Sequence, residues 1–147
     1  MKPTAIVVPF LAIAAITSSL AFAADDPVVA RQQLMKQNGQ AAKLGYQMIK
    51  GKVPFDAAAA VTAMNQIATD METFPSLFPP GSDVGSKTTA SPDIFANTDD
   101  FKALAAKLGA DAKAAATAAA TGPDAFAAAF GPIDQDCGGC HRKYRTN

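Results

Sequence analysis

Both cysteines of this 147-residue chain and its only histidine fall within one pentapeptide, Cys137-Gly138-Gly139-Cys140-His141. On a helix, positions i, i+3 and i+4 share a face, so the two thiols and the imidazole point the same way. Thiols at this spacing can add across the two vinyl groups on one porphyrin edge, while the adjacent imidazole reaches the iron. C-x-x-C-H is accordingly read as a c-type haem attachment motif. The two intervening glycines are expected to leave room for the porphyrin against the backbone. Competing chemistries fit less well. A thioredoxin-like dithiol needs a βαβ setting. A structural zinc site needs four ligands, and no second donor cluster exists. A Cys137–Cys140 disulfide would close only a tiny loop at the chain end. With His141 committed, a bis-histidine iron is excluded, which leaves a methionine sulfur, a lysine amine, a small exogenous ligand or nothing at the sixth position. No distal histidine or paired carboxylate is at hand as acid or base, so the chain is not expected to be an enzyme.

An element must present that face, and the composition says it is a helix. Discounting the first 23 residues, alanine supplies 27 of the remaining 124, and period-two runs of β-branched or aromatic residues are missing. A first helix is expected over Asp26–Gly51, with Asp26 as N-cap, Pro27 at the first helical position and Gly51 just past the end. Leu34, Met35, Ala41, Ala42, Met48 and Ile49 recur along it at helical spacing. A second helix is expected over Phe55–Thr73, with Ala60, Met64, Ile67, Met71 and Phe74 on one stripe. Pro75, Pro79, Pro80, Gly81, Gly85 and Pro92 then punctuate a long crossover loop from Phe74 to Asn97. A third helix is expected to start with Thr98 as its N-cap, helped by Asp99 and Asp100 at the positive end of its dipole. Gly122-Pro123 opens a fourth, carrying Phe126, Phe130, Ile133 and the haem motif. Pro132 should cost about 3 kcal/mol inside that helix, and a kink or short break is expected there. Four amphipathic segments with one long connection predict an all-α, antiparallel four-helix bundle. No repeat of solenoid period is present.

The first 23 residues read as a secretory signal peptide. Lys2 gives a short positive start, Ala5–Ile16 an apolar stretch, and Ala21-Phe22-Ala23 an A-x-A cleavage site. Pro9 and Thr17-Ser18-Ser19 make this a poor spanning helix. The expected organisation is residues 1–23 as signal peptide and 24–147 as one exported haem-binding domain, with no membrane insertion after signal removal. Export agrees with the motif, because c-type haem is attached outside the cytoplasm. Thirteen basic and thirteen acidic side chains balance, and their spread along the chain leaves no basic stripe for nucleic acid.

Along its mature length the chain resembles the class II cytochromes c, which comprise cytochrome c′ and its low-spin relatives of the cytochrome c-556 type. The resemblance rests on Arg31-Gln-Gln-Leu-Met35-Lys36-Gln-Asn-Gly39, Gly51-Lys-Val-Pro-Phe-Asp56, Phe74-Pro-Ser-Leu-Phe-Pro-Pro-Gly81, Ser91-Pro-Asp-Ile-Phe95 and the C-terminal CGGCHRKYR. Phe95 stands where the family usually has tryptophan, which keeps an aromatic plug. The resemblance implies a periplasmic, usually dimeric four-helix bundle with one haem c on Cys137 and Cys140, His141 on the iron, and periplasmic redox proteins as partners. The first helix is the dimer surface that this analogy suggests. Met35 matches the family's distal position on the first helix. In low-spin members that methionine binds iron and the protein carries single electrons. In cytochrome c′ the residue there only covers a five-coordinate iron that takes nitric oxide or carbon monoxide. The runs Leu34–Gly39, Pro79–Ser86 and Asp99–Asp111 look more like the low-spin members, so His141/Met35 ligation is expected. Arg31 lies one turn before Met35 on the same face and is expected to meet a haem propionate. Arg142, Lys143 and Arg145 suit the negative end of the last helix and offer a patch for an acidic redox partner. Tyr144 reads as a packing residue.

Overall fold

Asp26 and Pro27 start the first helix as the sequence requires: the Asp26 carboxylate accepts from the Val28 N–H at 2.9 Å, and helix α1 runs over Pro27–Ile49. The computed structural model describes residues 26–85 and 87–146. The expected signal peptide lies outside the described residues. Helix α1 ends at Lys50, after which Gly51 takes φ +64°, a conformation that favours glycine. Helix α2 covers Ala57–Thr73 and begins two residues later than expected. Asp56 caps it by accepting from the Ala59 N–H at 3.0 Å. Phe55 stays outside the helix and lays its ring 5.8 Å from that of Phe126.

The connection from Phe74 to Asn97 is more ordered than its prolines and glycines suggested. A 3-10 turn, Phe74–Leu77, continues from α2, and a one-turn helix α3 spans Asp93–Ala96. Helix α4 covers Thr98–Ala119, but its N-cap is Asn97 rather than Thr98. The Thr98 hydroxyl instead donates back to the Ile94 and Phe95 carbonyls of α3, which joins the two helices across Asn97. Helix α5 runs from Pro123 to Tyr144 as one element, so the break expected at Pro132 does not occur. The steric conflict that proline imposes on its predecessor is eased because that predecessor, Gly131, has no Cβ.

Helices α1, α2, α4 and α5 form the antiparallel bundle. Its tightest pairings are α2 on α4 and α4 on α5, while α1 packs on α2 and only lightly on α5. Phe126, Met64, Ile67 and Ile133 are the largest side chains fully enclosed in the core. Small residues permit the close α2–α4–α5 packing: Ala60, Ala112, Ala115 and Ala119 are wholly buried. On α1 the buried positions are Arg31, Leu34, Asn38, Ala41, Gly45 and Met48, alternating three and four apart. Met35 stands one position off that stripe. It is therefore turned from the α2 side toward the gap before α5.

At one end, Phe74, Phe78, Phe101 and Tyr144 make a chain of ring contacts, with centroids 4.8 to 5.9 Å apart. Tyr144 is buried there, and its hydroxyl donates to Asp100, in keeping with a packing role. The crossover is sewn to the end of α5 by two backbone hydrogen bonds, Ser91 N–H to Tyr144 O at 2.9 Å and Thr146 N–H to Thr89 O at 2.8 Å. Among the described residues this isolated bridge is the only β-type pairing. No helix of the described residues is long and apolar enough to cross a membrane.

Candidate haem site

Where α1 and α5 part company, they enclose an open cavity of about 820 Å³. The α1 wall carries Arg31, Met35, Asn38 and Ala42; the α5 wall carries Ile133, Cys137, Cys140 and His141. Phe74, Phe78, Leu104 and Leu108 help close the inner side. The helical spacing thus does what the sequence required of it, setting two thiols and an imidazole on one wall. Met35 faces them from the other.

The electrostatics of that wall follow from its burial. Both thiols are free and partly buried. Burial pushes the Cys137 thiol up, with Asp134 and Asp136 adding to the effect. Burial, with Cys137 and Asp100 as lesser contributors, pushes Cys140 up to about 11. Neither is the reactive thiolate that disulfide exchange uses. Burial also lowers the His141 imidazole, helped by the Arg145 guanidinium, so it stays neutral with a lone pair to offer. Asp136, beside Cys137, is raised by its own burial even though Lys107 donates to it at 2.7 Å.

The structure adds detail at two of these positions. Gly138 and Gly139 do not border the cavity. A Cβ at either would meet the Arg142 guanidinium, at 3.1 Å for Gly138 and 3.9 Å for Gly139. Gly138 leaves room for Arg142 folding back along its own helix, whereas a Cβ at Gly139 would make only ordinary contact with it. Arg31 does border the cavity, but its guanidinium is already engaged by the crossover. Nη1 donates to Leu77 O and to Ser82 Oγ, and Nη2 to Ser82 O and to Thr88 Oγ1. It also lies 4.6 Å from the centroid of the Phe78 ring. Only Nε–H is left for a ligand in the cavity.

Asn38 is a site residue that sequence reasoning missed. Its side chain is buried on the α1 wall, and neither Nδ2 nor Oδ1 has a hydrogen-bond partner. A buried amide without partners is costly, which marks this part of the cavity as built around something other than the chain itself. Its only sequence signal is an amide at a core position of an otherwise apolar stripe. Of the four methionines in the described chain, Met35 and Met71 border the cavity, whereas Met48 and Met64 lie in the core away from it.

Relatives supply the remaining information. The family described as Cytochrome C′ matches residues 26–145, nearly all of the described chain. The chain belongs to the cytochrome c′ family. A cytochrome c-556 of Agrobacterium fabrum is 44% identical over 115 residues, which is 78% of this chain and 77% of that one. A cytochrome c′ of Rhodopseudomonas palustris is 34% identical over 88% of both chains. The structure of cytochrome c′ from R. palustris superposes with a TM-score of 0.79 at 33% identity, covering 84% of this chain and 98% of that one. As a member of the cytochrome c′ family, the chain has a covalently attached haem c as its cofactor. The cavity suits that group: its volume is within the usual range of about 300–1,000 Å³ for cofactor sites. It is walled largely by apolar side chains, and it gathers both thiols and the sole imidazole.

Proposed function

We propose that this is an exported, periplasmic one-electron carrier whose haem is held by thioether bonds from Cys137 and Cys140 and ligated by His141 and Met35. When bound, the haem supplies an iron that cycles between ferric and ferrous states. The residues set its conditions. Cys137 and Cys140 would fix one edge of the group to α5 through their sulfurs. His141 presents a neutral nitrogen from the same wall. Met35 offers a soft thioether from the opposite wall, and a thioether ligand favours the reduced iron. Arg31 holds the crossover over the cavity and keeps Nε–H for a haem carboxylate.

The observation that carries this reading is the opposition of Met35 to His141 across a single cavity. The second reading, a five-coordinate cytochrome c′ that binds nitric oxide or carbon monoxide, has the similarity to R. palustris cytochrome c′ in its favour. The ferric optical spectrum decides between them. Wild type is expected to be low spin, and Met35→Ala to turn high spin, with a lower potential and faster carbon monoxide binding. Met71→Ala, which removes the other methionine at the cavity, is expected to keep the low-spin spectrum. A high-spin wild type, or no change on Met35→Ala, would establish the gas-binding reading instead.

A further inference from the structure

The balanced total charge hides an uneven distribution. From Pro27 to Phe55 the chain has five cations, Arg31, Lys36, Lys43, Lys50 and Lys52, and no carboxylate. The end of α5 adds Arg142, Lys143 and Arg145. Between them, from Asp56 to Asp136, eleven carboxylates accompany only four lysines. The fold brings the two cationic stretches to opposite lips of one opening. Lys36 and Lys43 on α1 and Arg145, just past the end of α5, are exposed and border the cavity.

These cations are also uncommitted. Among the described residues the ion pairs fall on Lys107, Lys113 and Lys143, and none involves Lys36, Lys43, Lys50, Lys52 or Arg145. Two carboxylates border the cavity, Asp134 and Asp136, and Lys107 takes the second. On the α1 lip sits an aromatic ring that the core does not use. Tyr46 is 48% exposed and borders the cavity, with Lys50 Nζ 5.5 Å and Lys52 Nζ 6.0 Å from its centroid.

We infer that this cation-rimmed opening, with Tyr46 on its lip, is the docking surface for an acidic electron-transfer protein. The inference rests on the one-electron reading above and adds the chemistry of the partner. Opposite charge on a partner steers its encounter toward the lips and raises the rate, an effect that salt removes. Because the chain is nearly neutral as a whole, such steering comes from the asymmetry rather than from net charge. The exposed face of α1 argues for a protein over a lipid surface. Around Lys36 and Lys43 it presents Gln32, Gln33, Gln37 and Gln40, not the apolar stripe that an interfacial helix needs.

The test uses the haem-loaded protein, reduced and mixed in stopped flow with two small oxidants, anionic hexacyanoferrate(III) and cationic tris(phenanthroline)cobalt(III). With rising ionic strength the anionic oxidant should slow and the cationic one speed up. Lys36→Glu with Lys43→Glu should reverse both trends and slow electron transfer from a reduced acidic flavodoxin to the ferric protein by on the order of ten-fold or more. Lys102→Glu, on the far side between α2 and α4, should change none of these. Equal behaviour of the rim and far-side variants would overturn the inference. So would rim-dependent sedimentation with phosphatidylglycerol vesicles without any effect on flavodoxin, which would assign the surface to a membrane. Salt-sensitive self-association lost in the rim variant would assign it to a second copy. The optical spectrum, recorded first, reports separately on Met35: a high-spin spectrum defeats the ligation proposal while the salt trends still judge the surface.

Discussion

Helix α1 meets helix α5 in two contrasting ways. At Gly45 the helices are in such close contact that a Cβ there would lie 2.5 Å from Phe130 Cε2 and 3.2 Å from Phe126 Cζ. About three turns toward the start of α1, at Met35, the same two helices stand apart around the cavity. The closed end is apolar, aromatic and free of buried polar atoms on α1. The open end holds Asn38 with its unpartnered amide, the buried guanidinium of Arg31, and the three donors of α5. One helix pair therefore divides its labour along its length, with rigid packing at one end positioning reactive groups at the other. The wedge shape follows from side-chain size: glycine at 45 lets the helices touch, and aromatic rings from α5 fill what remains.

That division can be broken from either side. The largest stability loss should come from the closed end. Phe126→Ala removes a ring with no exposure that packs against Phe55 and Phe130, and should cost about 3–5 kcal/mol in guanidinium unfolding of the haem-loaded protein. The iron's spin state should not change. If it does, the two ends are not separable. Gly45→Ala should cost less, about 1–3 kcal/mol, because the Phe130 ring must swing aside to admit the new methyl group. Phe130 also borders the cavity, so this variant tests whether strain at the closed end reaches the haem. A small shift in the optical bands with ligation retained is the expected result.

The smallest effect concerns pH. The Asp100 carboxyl accepts from Lys143 Nζ at 2.8 Å and from the Tyr144 hydroxyl, and these bonds, Lys143 first, hold it below the usual carboxylate range. A depressed folded-state value means that its contribution is complete above the unfolded value and is lost as pH falls through the folded one. Asp100→Asn should lower stability where carboxylates are fully ionised in both states, and the difference from wild type should vanish as pH falls, which flattens the acid limb of the profile. Thermal melts across the acid range check this.

Much of this molecule was legible in its sequence, and the parts that were not share a cause. The caps at Asp26 and Gly51, the alanine-rich stripes and the C-x-x-C-H face are local signals, since each depends on spacing within a single helix. Asp56, rather than Phe55, at the start of α2 is a local signal that the apolar pattern overrode. The Thr98 hydroxyl, the Arg31 clasp and the role of Gly138 and Gly139 are different. Each depends on where a second element lies, and periodicity carries no information on that. At Pro132 the helix is unbroken, and the preceding Gly131 removes one of the clashes that a proline brings. Asn38 looked like one more polar residue on α1 until the stripe placed it indoors.

The Arg31 clasp also bears on which changes the crossover can tolerate. Its four Nη bonds reach Leu77, Ser82 and Thr88, residues on both sides of the tip that contains Val84 and Gly85. Val84 is 73% exposed, and nothing lies within 4 Å of a Cβ at Gly85, so the tip is spatially unconstrained. Substitution at Val84 is therefore free to drift, whereas a side chain at Gly85, with φ +109°, would be strained, and an insertion or deletion between 82 and 88 would pull an acceptor off the guanidinium. A single side chain on α1 thus sets the permissible length of a segment some fifty residues further along the chain.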